Sequence, residues 1–241
     1  MAALAGSRPR AILFDAGNTL LRMNYPAIGR HLASRGHSVP VEAIEEAELR
    51  ARVRLDADLA GGVSTEGRTA QDRYTAYLME GLGLADPGEI EAAAAFKRGY
   101  NPPAGLFDTA HPDARTVLRG VKAAGLVAGV VSNSNGSAHA LLAGAGLASD
   151  LDFVIDSAVV GVEKPDPRIF RIGLERAGVE AHEAVYIGDL YSVDVLGSRA
   201  AGLHAILLDP RGFWGPRDCA VARDLGGALA LVLDTIGKEP A

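Results

Sequence analysis

The stretch Ala11-Ile12-Leu13-Phe14-Asp15-Ala16-Gly17-Asn18-Thr19-Leu20 decides how this chain is read. Four consecutive apolar residues predict a short strand buried on both faces, as in a parallel sheet. Asp15 stands at the C-terminal tip of that strand, where open α/β sheets place their ligands. The small residues behind it leave backbone N–H groups open to an anion. A carboxylate so placed can act as a nucleophile and pass through an aspartyl-phosphate or acyl-ester intermediate. Alone, a strand-end aspartate is more often a turn former or helix cap, so its meaning depends on the rest of the chain.

Beyond residue 104 the chain alternates regularly. Apolar runs at 126–131, 152–155, 184–187 and 203–208 predict further buried strands. Helical patterns lie between and after them, at 113–124, 137–145, 167–177, 193–201 and 224–236. Three of these helices end in Ala-Gly pairs, at Gly125, Gly178 and Gly202. Such alternation argues for a parallel sheet with helices on both faces. The stretch 22–104 separates the first strand from the others. No strand is expected there, only helices near 26–34, 41–59, 66–80 and 87–97, the last opened by Asp86 as cap and Pro87 in the first turn. Asn101-Pro102-Pro103 reads as a rigid connector back to the sheet. The expected fold is therefore α/β, a doubly wound, Rossmann-like core built from 1–21 and 105–241, with a small all-helical domain at 22–104.

Three more polar blocks sit at predicted strand ends. In Val131-Ser132-Asn133-Ser134-Asn135-Gly136 a hydroxyl follows an apolar strand directly, and Ser132 with the adjoining N–H groups can hold a phosphate oxygen. In Gly161-Val162-Glu163-Lys164-Pro165-Asp166-Pro167, Lys164 offers an ammonium that can neutralise both a nucleophilic carboxylate and a phosphoryl group. Only four of the chain's 24 basic residues are lysines, Lys97, Lys122, Lys164 and Lys238, so each lysine position is informative. In Ile187-Gly188-Asp189-Leu190-Tyr191-Ser192-Val193-Asp194, Asp189 ends a strand and Asp194 lies about one turn later. Two carboxylates converging on Asp15 would repel one another unless a cation joined them. Mg²⁺ suits such a site, since it prefers oxygen ligands and bridges to phosphate.

Composition narrows the function classes. With 241 residues and 48% apolar content the chain can bury a substantial core. A net charge of −6 lacks the basic footprint of a nucleic-acid binder. No run approaches the roughly 18 apolar residues of a membrane span, and the first ten residues lack a signal-peptide core. Cys219 is the single cysteine, so no intramolecular disulfide can form. These features lead to the expectation of a cytoplasmic protein; oligomeric state is not readable.

The four blocks, continued through Gly197-Ser198-Arg199-Ala200-Ala201-Gly202, resemble the motifs of the haloacid dehalogenase superfamily of hydrolases, in their order and over about residues 10–209. The helical stretch after the first motif resembles the cap of one branch. The resemblance implies that Asp15 is the nucleophile and a Mg²⁺ ligand, with the Gly17 carbonyl and Asp189 as further ligands and Asp194 supporting the metal site. It implies that Ser132, the Asn133 backbone and Lys164 hold the transferring phosphoryl group, and that the cap selects a small phosphorylated substrate. One position departs from the pattern. Phosphatases of this family carry an acid/base aspartate where this chain has Gly17. A missing general acid costs about 10²–10⁴-fold in rate; His31 or His37 of the cap could supply it.

Other readings compete. A 2-haloacid dehalogenase needs no acid, which explains Gly17, but works without metal and leaves Asp189 and Asp194 unexplained. A phosphonate-cleaving enzyme needs a cap lysine; Lys97 is the one available, and its helical setting suggests a solvated side chain. A catalytically weak binding relative is supported by Gly17 alone. The sequence favours a Mg²⁺-dependent hydrolase of small phosphorylated metabolites. The cap offers Arg30, Arg68, Arg73, Tyr74 and Tyr77 as substrate contacts, without saying which face the site.

Overall fold

The protein is described by a computed structural model covering residues 8–102 and 105–236. Pro103 of the expected connector and the first seven residues lie outside that description. Six strands form one parallel sheet: β1 (Ala11–Phe14), β4 (Val127–Ser132), β5 (Phe153–Asp156), β6 (Ala184–Gly188), β7 (His204–Leu208) and β8 (Ala220–Ala222). Their spatial order is β5-β4-β1-β6-β7-β8. The winding direction reverses beside β1, so a crevice opens at the C-terminal tips of β1, β4 and β6.

β1 shows why the sheet is two-sided. Ile12 and Phe14 pack in one fully buried cluster, Ala11 and Leu13 in another. The first cluster is closed by Val117, Leu118 and Val121 of α5 (Ala114–Ala123) and by Ala228 and Val232 of α10 (Leu225–Ile236). The second is closed by Ile169, Phe170 and Leu174 of α8 (Pro167–Ala177). Gly129 permits the close approach of β5, because a Cβ there would collide with the Phe153 ring. The expected α/β doubly wound architecture is what is observed.

Four helices occupy the interrupting stretch: α1 (Tyr25–Ser34), α2 (Val41–Leu59), α3 (Arg68–Gly81) and α4 (Pro87–Gly99). They share their own apolar cluster, including Ile28, Leu32, Ile44, Leu55, Leu78 and Met79. Asp86 caps α4, accepting from Gly88 N at 2.9 Å. A two-residue antiparallel ribbon, β2 (Leu21–Arg22) with β3 (Thr109–Ala110), carries the chain out of the core and back. Neither this ribbon nor β8 is anticipated by the sequence pattern. The helix expected from 193 begins instead as a π-turn over Tyr191–Val195, continued by α9 (Leu196–Ala200). The remaining helices are α6 (Ala138–Gly144) and the single turn α7 (Ser157–Val160). No helix among the described residues is long and apolar enough to cross a membrane.

Candidate active site

The four polar blocks converge. Asp15, Gly17, Ser132, Asn133, Lys164, Asp189 and Asp194 all line one cavity of about 440 Å³ at the strand tips. That volume suits a small metabolite. Asp15, Asp189 and Asp194 are buried and each offers a carboxylate oxygen within 4.8 Å of the others.

Lys164 is the hub. Its ammonium donates to Asp15 Oδ1 at 2.5 Å, to Asp194 Oδ1 at 2.7 Å and to the Tyr186 hydroxyl at 2.9 Å. Tyr186 in turn donates to the Val131 carbonyl at 2.7 Å. All three donors of the ammonium are thereby used. Burial alone would push the ammonium down, but Asp15 and Asp194 hold it well above the usual lysine value. Its backbone is fixed by Asn133, whose Oδ1 accepts from Lys164 N at 2.7 Å while Nδ2 donates to Lys164 O at 2.9 Å. The Asn133 side chain thus positions the lysine, a task the sequence does not suggest.

The acidic residues hold their places by local geometry. Asp194 Oδ2 accepts from the backbone N–H groups of Asp189 at 3.0 Å and Leu190 at 2.9 Å. Gly188 is obligatory for this fold-back, since a Cβ there would strike the Asp194 carboxylate. Asn18 adopts φ 55°, the left-handed conformation asparagine tolerates best among larger residues, and turns the chain after Asp15. Burial pushes Asp15 up to about 6; Lys164 pulls part of this back and Asp194 adds to it. Asp189 lies well above the usual carboxylate range for the same first reason, burial, against which Arg52 works.

Arg52 is not singled out by the sequence. It projects from α2 and reaches Asp189 Oδ2 with Nη1 at 3.2 Å. The same guanidinium is held by Glu48, with Nε donating to Oε1 at 2.9 Å. Glu48 also accepts from the hydroxyls of Tyr25, at 2.9 Å, and Tyr74. Four residues further along α2, Asp56 accepts from Ser192 N at 2.8 Å and Ser192 Oγ at 2.7 Å. The loop before α3 adds two bonds to the motif loops: Asn133 Nδ2 to Thr65 Oγ1 at 2.8 Å, and Ser64 Oγ to Glu163 Oε2 at 2.8 Å.

Several expectations for the helices need correction. Neither His31 nor His37 lines the cavity: His31 stacks on Phe96 with centroids 4.3 Å apart, and His37 faces Glu89 at 3.3 Å. Arg30, Arg68 and Arg73 are exposed away from it, and Tyr77 bonds Asp58 at 2.8 Å. Tyr74 alone of the five named residues lines the cavity. Lys97, expected to be solvated, is partly buried in the cavity wall, because α4 lies with that face against α3. Cys219, the single cysteine, packs half-buried beside the Val195–Trp214 cluster and does not line the cavity.

A family model described as haloacid dehalogenase-like hydrolase matches residues 9–202. "Haloacid dehalogenase-like hydrolase domain-containing protein 3" of Mus musculus is 32% identical over 207 residues, covering 83% of this chain and 81% of its own. The phosphoglycolate phosphatase of Rhodospirillum rubrum is 30% identical over 205 residues, covering 83% of this chain and 79% of its own. A dehalogenase crystal structure superposes with a TM-score of 0.63 at 21% identity, over 94% of this chain and 98% of that one, a likeness of fold. The chain belongs to the haloacid dehalogenase-like hydrolases.

Proposed function

We propose that this hydrolase is a Mg²⁺-dependent phosphatase of small phosphorylated metabolites, acting through an aspartyl-phosphate at Asp15. The observation that carries the reading is the charge of the buried cluster. Asp15, Asp189, Asp194 and Glu48 set four carboxylates against two cations, Lys164 and Arg52. A cluster with that excess, built from hard oxygen donors, fits a divalent cation. Asp15, Asp189 and the Gly17 carbonyl would hold it, with Asp194 in support. When bound, Mg²⁺ would neutralise the phosphoryl oxygens and the carboxylates together.

The chain's own residues supply the rest. Asp15 attacks phosphorus, the bond from phosphorus to the leaving oxygen breaks, and water later releases inorganic phosphate and free Asp15. Ser132 and the Asn133 backbone hold the phosphoryl oxygens together with Lys164, which turns the donor it gives Asp15 in the free protein to a phosphoryl oxygen as Asp15 engages phosphorus. Gly17 leaves the departing oxygen without an acid from the usual place. The stretch 22–104 serves as a cap that excludes water and chooses the substrate; the bonds from Arg52, Asp56, Ser64 and Thr65 to the core support that division. Phosphatases among the relatives, the phosphoglycolate phosphatase one of them, support the substrate class, and the lone Cys219 supports a reducing, cytoplasmic setting.

Dehalogenase chemistry is the second reading, favoured by Gly17 and opposed by the acidic cluster. Hydrolysis of p-nitrophenyl phosphate with EDTA and with Mg²⁺ separates the two. Chelator-abolished, Mg²⁺-restored hydrolysis is expected. Chelator-resistant chloride release from 2-chloropropionate would establish the second reading instead.

A further inference from the structure

Lys97 has no task in phosphoryl transfer from Asp15, yet it is one of two lysines lining the cavity. The other, Lys164, spends its three donors on Asp15, Asp194 and Tyr186. Lys97 donates once, to Gln71 Oε1 at 2.6 Å, and lies 5.0 Å above the Tyr74 ring. Gln71 is neutral, and its own Nε2 is committed to the Thr65 carbonyl at 2.8 Å. Among the described residues no carboxylate comes within the 4.0 Å that would make an ion pair with Lys97. Its one hydrogen-bond partner is neutral, and Glu66, Asp72 and Glu48 act on it only from beyond ion-pair distance, so the ammonium keeps donors for a further anionic group.

Its placement relates it to the nucleophile. Tyr74 carries Lys97 over its ring face, while its hydroxyl accepts from Asn18 Nδ2 at 3.1 Å, three residues after Asp15. Tyr74 therefore spans the cavity wall from the nucleophile's own loop to the ammonium. The cavity that holds Asp15 and Ser132 is also lined by Gln71, Tyr74 and Lys97, so a substrate whose phosphoryl group sits at the strand tips shares one space with the ammonium. Burial pushes Lys97 down to about 8, with Glu66, Asp72 and Glu48 holding part of its charge, so it remains mainly cationic at neutral pH.

We propose that Lys97 is a specificity residue that receives a second anionic group carried on the leaving part of the substrate. The inference rests on the phosphatase reading of the same cavity. A charge-assisted bond to a remote, non-reacting group is a means by which binding energy can be applied to the reacting centre. The substrate class is thereby narrowed to phosphate monoesters bearing a carboxylate or a second phosphate.

The test compares kcat/KM, with Mg²⁺, across short ω-carboxyalkyl phosphates of increasing length and their methyl esters, and across α,ω-alkane bisphosphates and the matching monophosphates. At a matching chain length the charged member should be preferred by about tenfold or more, as expected of one charge-assisted contact. The pair that shows the preference tells carboxylate from phosphate. Lys97→Met should bring the ratio down to about twofold or less, and Lys97→Arg should retain it. Gln71→Glu gives the ammonium an internal partner and should lower the ratio as Lys97→Met does. The preference should also fade as pH rises through about 8, where Lys97, facing Glu48, Glu66, Asp72 and Tyr74, gives up its proton. No preference at any length in the wild-type protein, or one that survives in Lys97→Met, would overturn the inference while leaving p-nitrophenyl phosphate hydrolysis intact. Absence of that hydrolysis from the wild-type protein would overturn the phosphatase reading and the inference with it.

Discussion

The strand tips and the inner faces of α2 and α3 both bury carboxylates, but they treat them in opposite ways. Glu48 on α2 is fully served: Arg52, Tyr25 and Tyr74 all donate to it. At the tips, Asp15, Asp189 and Asp194 crowd within 4.8 Å and share Lys164 and a borrowed Arg52. Burial first, and the neighbouring carboxylates after it, make Asp15 and Asp189 hold their protons more tightly than ordinary carboxyls. A satisfied buried charge is costly to disturb by removing a partner, whereas a crowded one keeps unmet demand for a further cation. The first arrangement holds helices together; the second is suited to chemistry.

Exchanging one carboxylate in each region should make the contrast measurable. Asp15→Asn removes the proposed nucleophile and is expected to lower turnover by at least about 10³-fold. Because it also relieves crowding, it should cost little in denaturation midpoint. Retention of more than a tenth of wild-type turnover would end the assignment. Glu48→Ala should do the reverse in stability, costing about 3 kcal/mol, because it leaves buried Arg52 and two buried hydroxyls short of a partner. Equal midpoints for the two variants in urea titration would erase the distinction between the two regions.

The acidities predict a pH signature for the tip cluster. Folding raises Asp15 to about 6 from its ordinary value, so the folded, metal-free protein keeps a proton there that the unfolded chain has lost. That proton favours the folded state below about pH 4, and the benefit is lost as pH rises to about 6. A divalent cation must displace the proton, so Mg²⁺ should bind more tightly as pH climbs through about 6. Thermal shifts with Mg²⁺ at pH 5 and pH 7.5 would show it; equal shifts would contradict it.

The smallest expected effect concerns Gly17. With no acid there, wild-type kcat/KM should fall steeply as the leaving-group pKa rises. A Cβ at Gly17 would meet the Phe107 ring at 3.6 Å, an ordinary contact, so Gly17→Asp should be tolerated. It should flatten the dependence across a series of aryl and alkyl phosphates. A flat wild-type dependence with chemistry rate-limiting would mean another residue supplies the proton.

The two regions also differ in how far sequence reveals them. Asp15, Ser132 and Asp189 are legible because each ends an unbroken apolar run, and a strand's tip in a parallel sheet points to one crevice whatever the details of packing. Lys164 is legible because lysine is rare here and proline comes directly after it. Arg52 and Glu48 are not, because they sit among six other charged residues between Glu45 and Asp58, and only helix packing selects which of them turn inward. Lys97 is misjudged from sequence for the same reason, next to exposed Arg98. β8 escapes notice because Ala220–Ala222 is a three-residue edge strand paired only with β7, too short for a pattern.

Arg52 has a practical corollary for protein engineering. Its guanidinium is rooted in one region and terminates on a cavity-lining carboxylate of the other, Asp189. A chimera that replaced 22–104 with a foreign helical segment would strip Asp189 of its counter-charge, even if every backbone junction were seamless. Transplanting α2 with its Glu48-Arg52 pair, or redesigning Asp189's surroundings in concert, is the condition for treating these two regions as interchangeable parts.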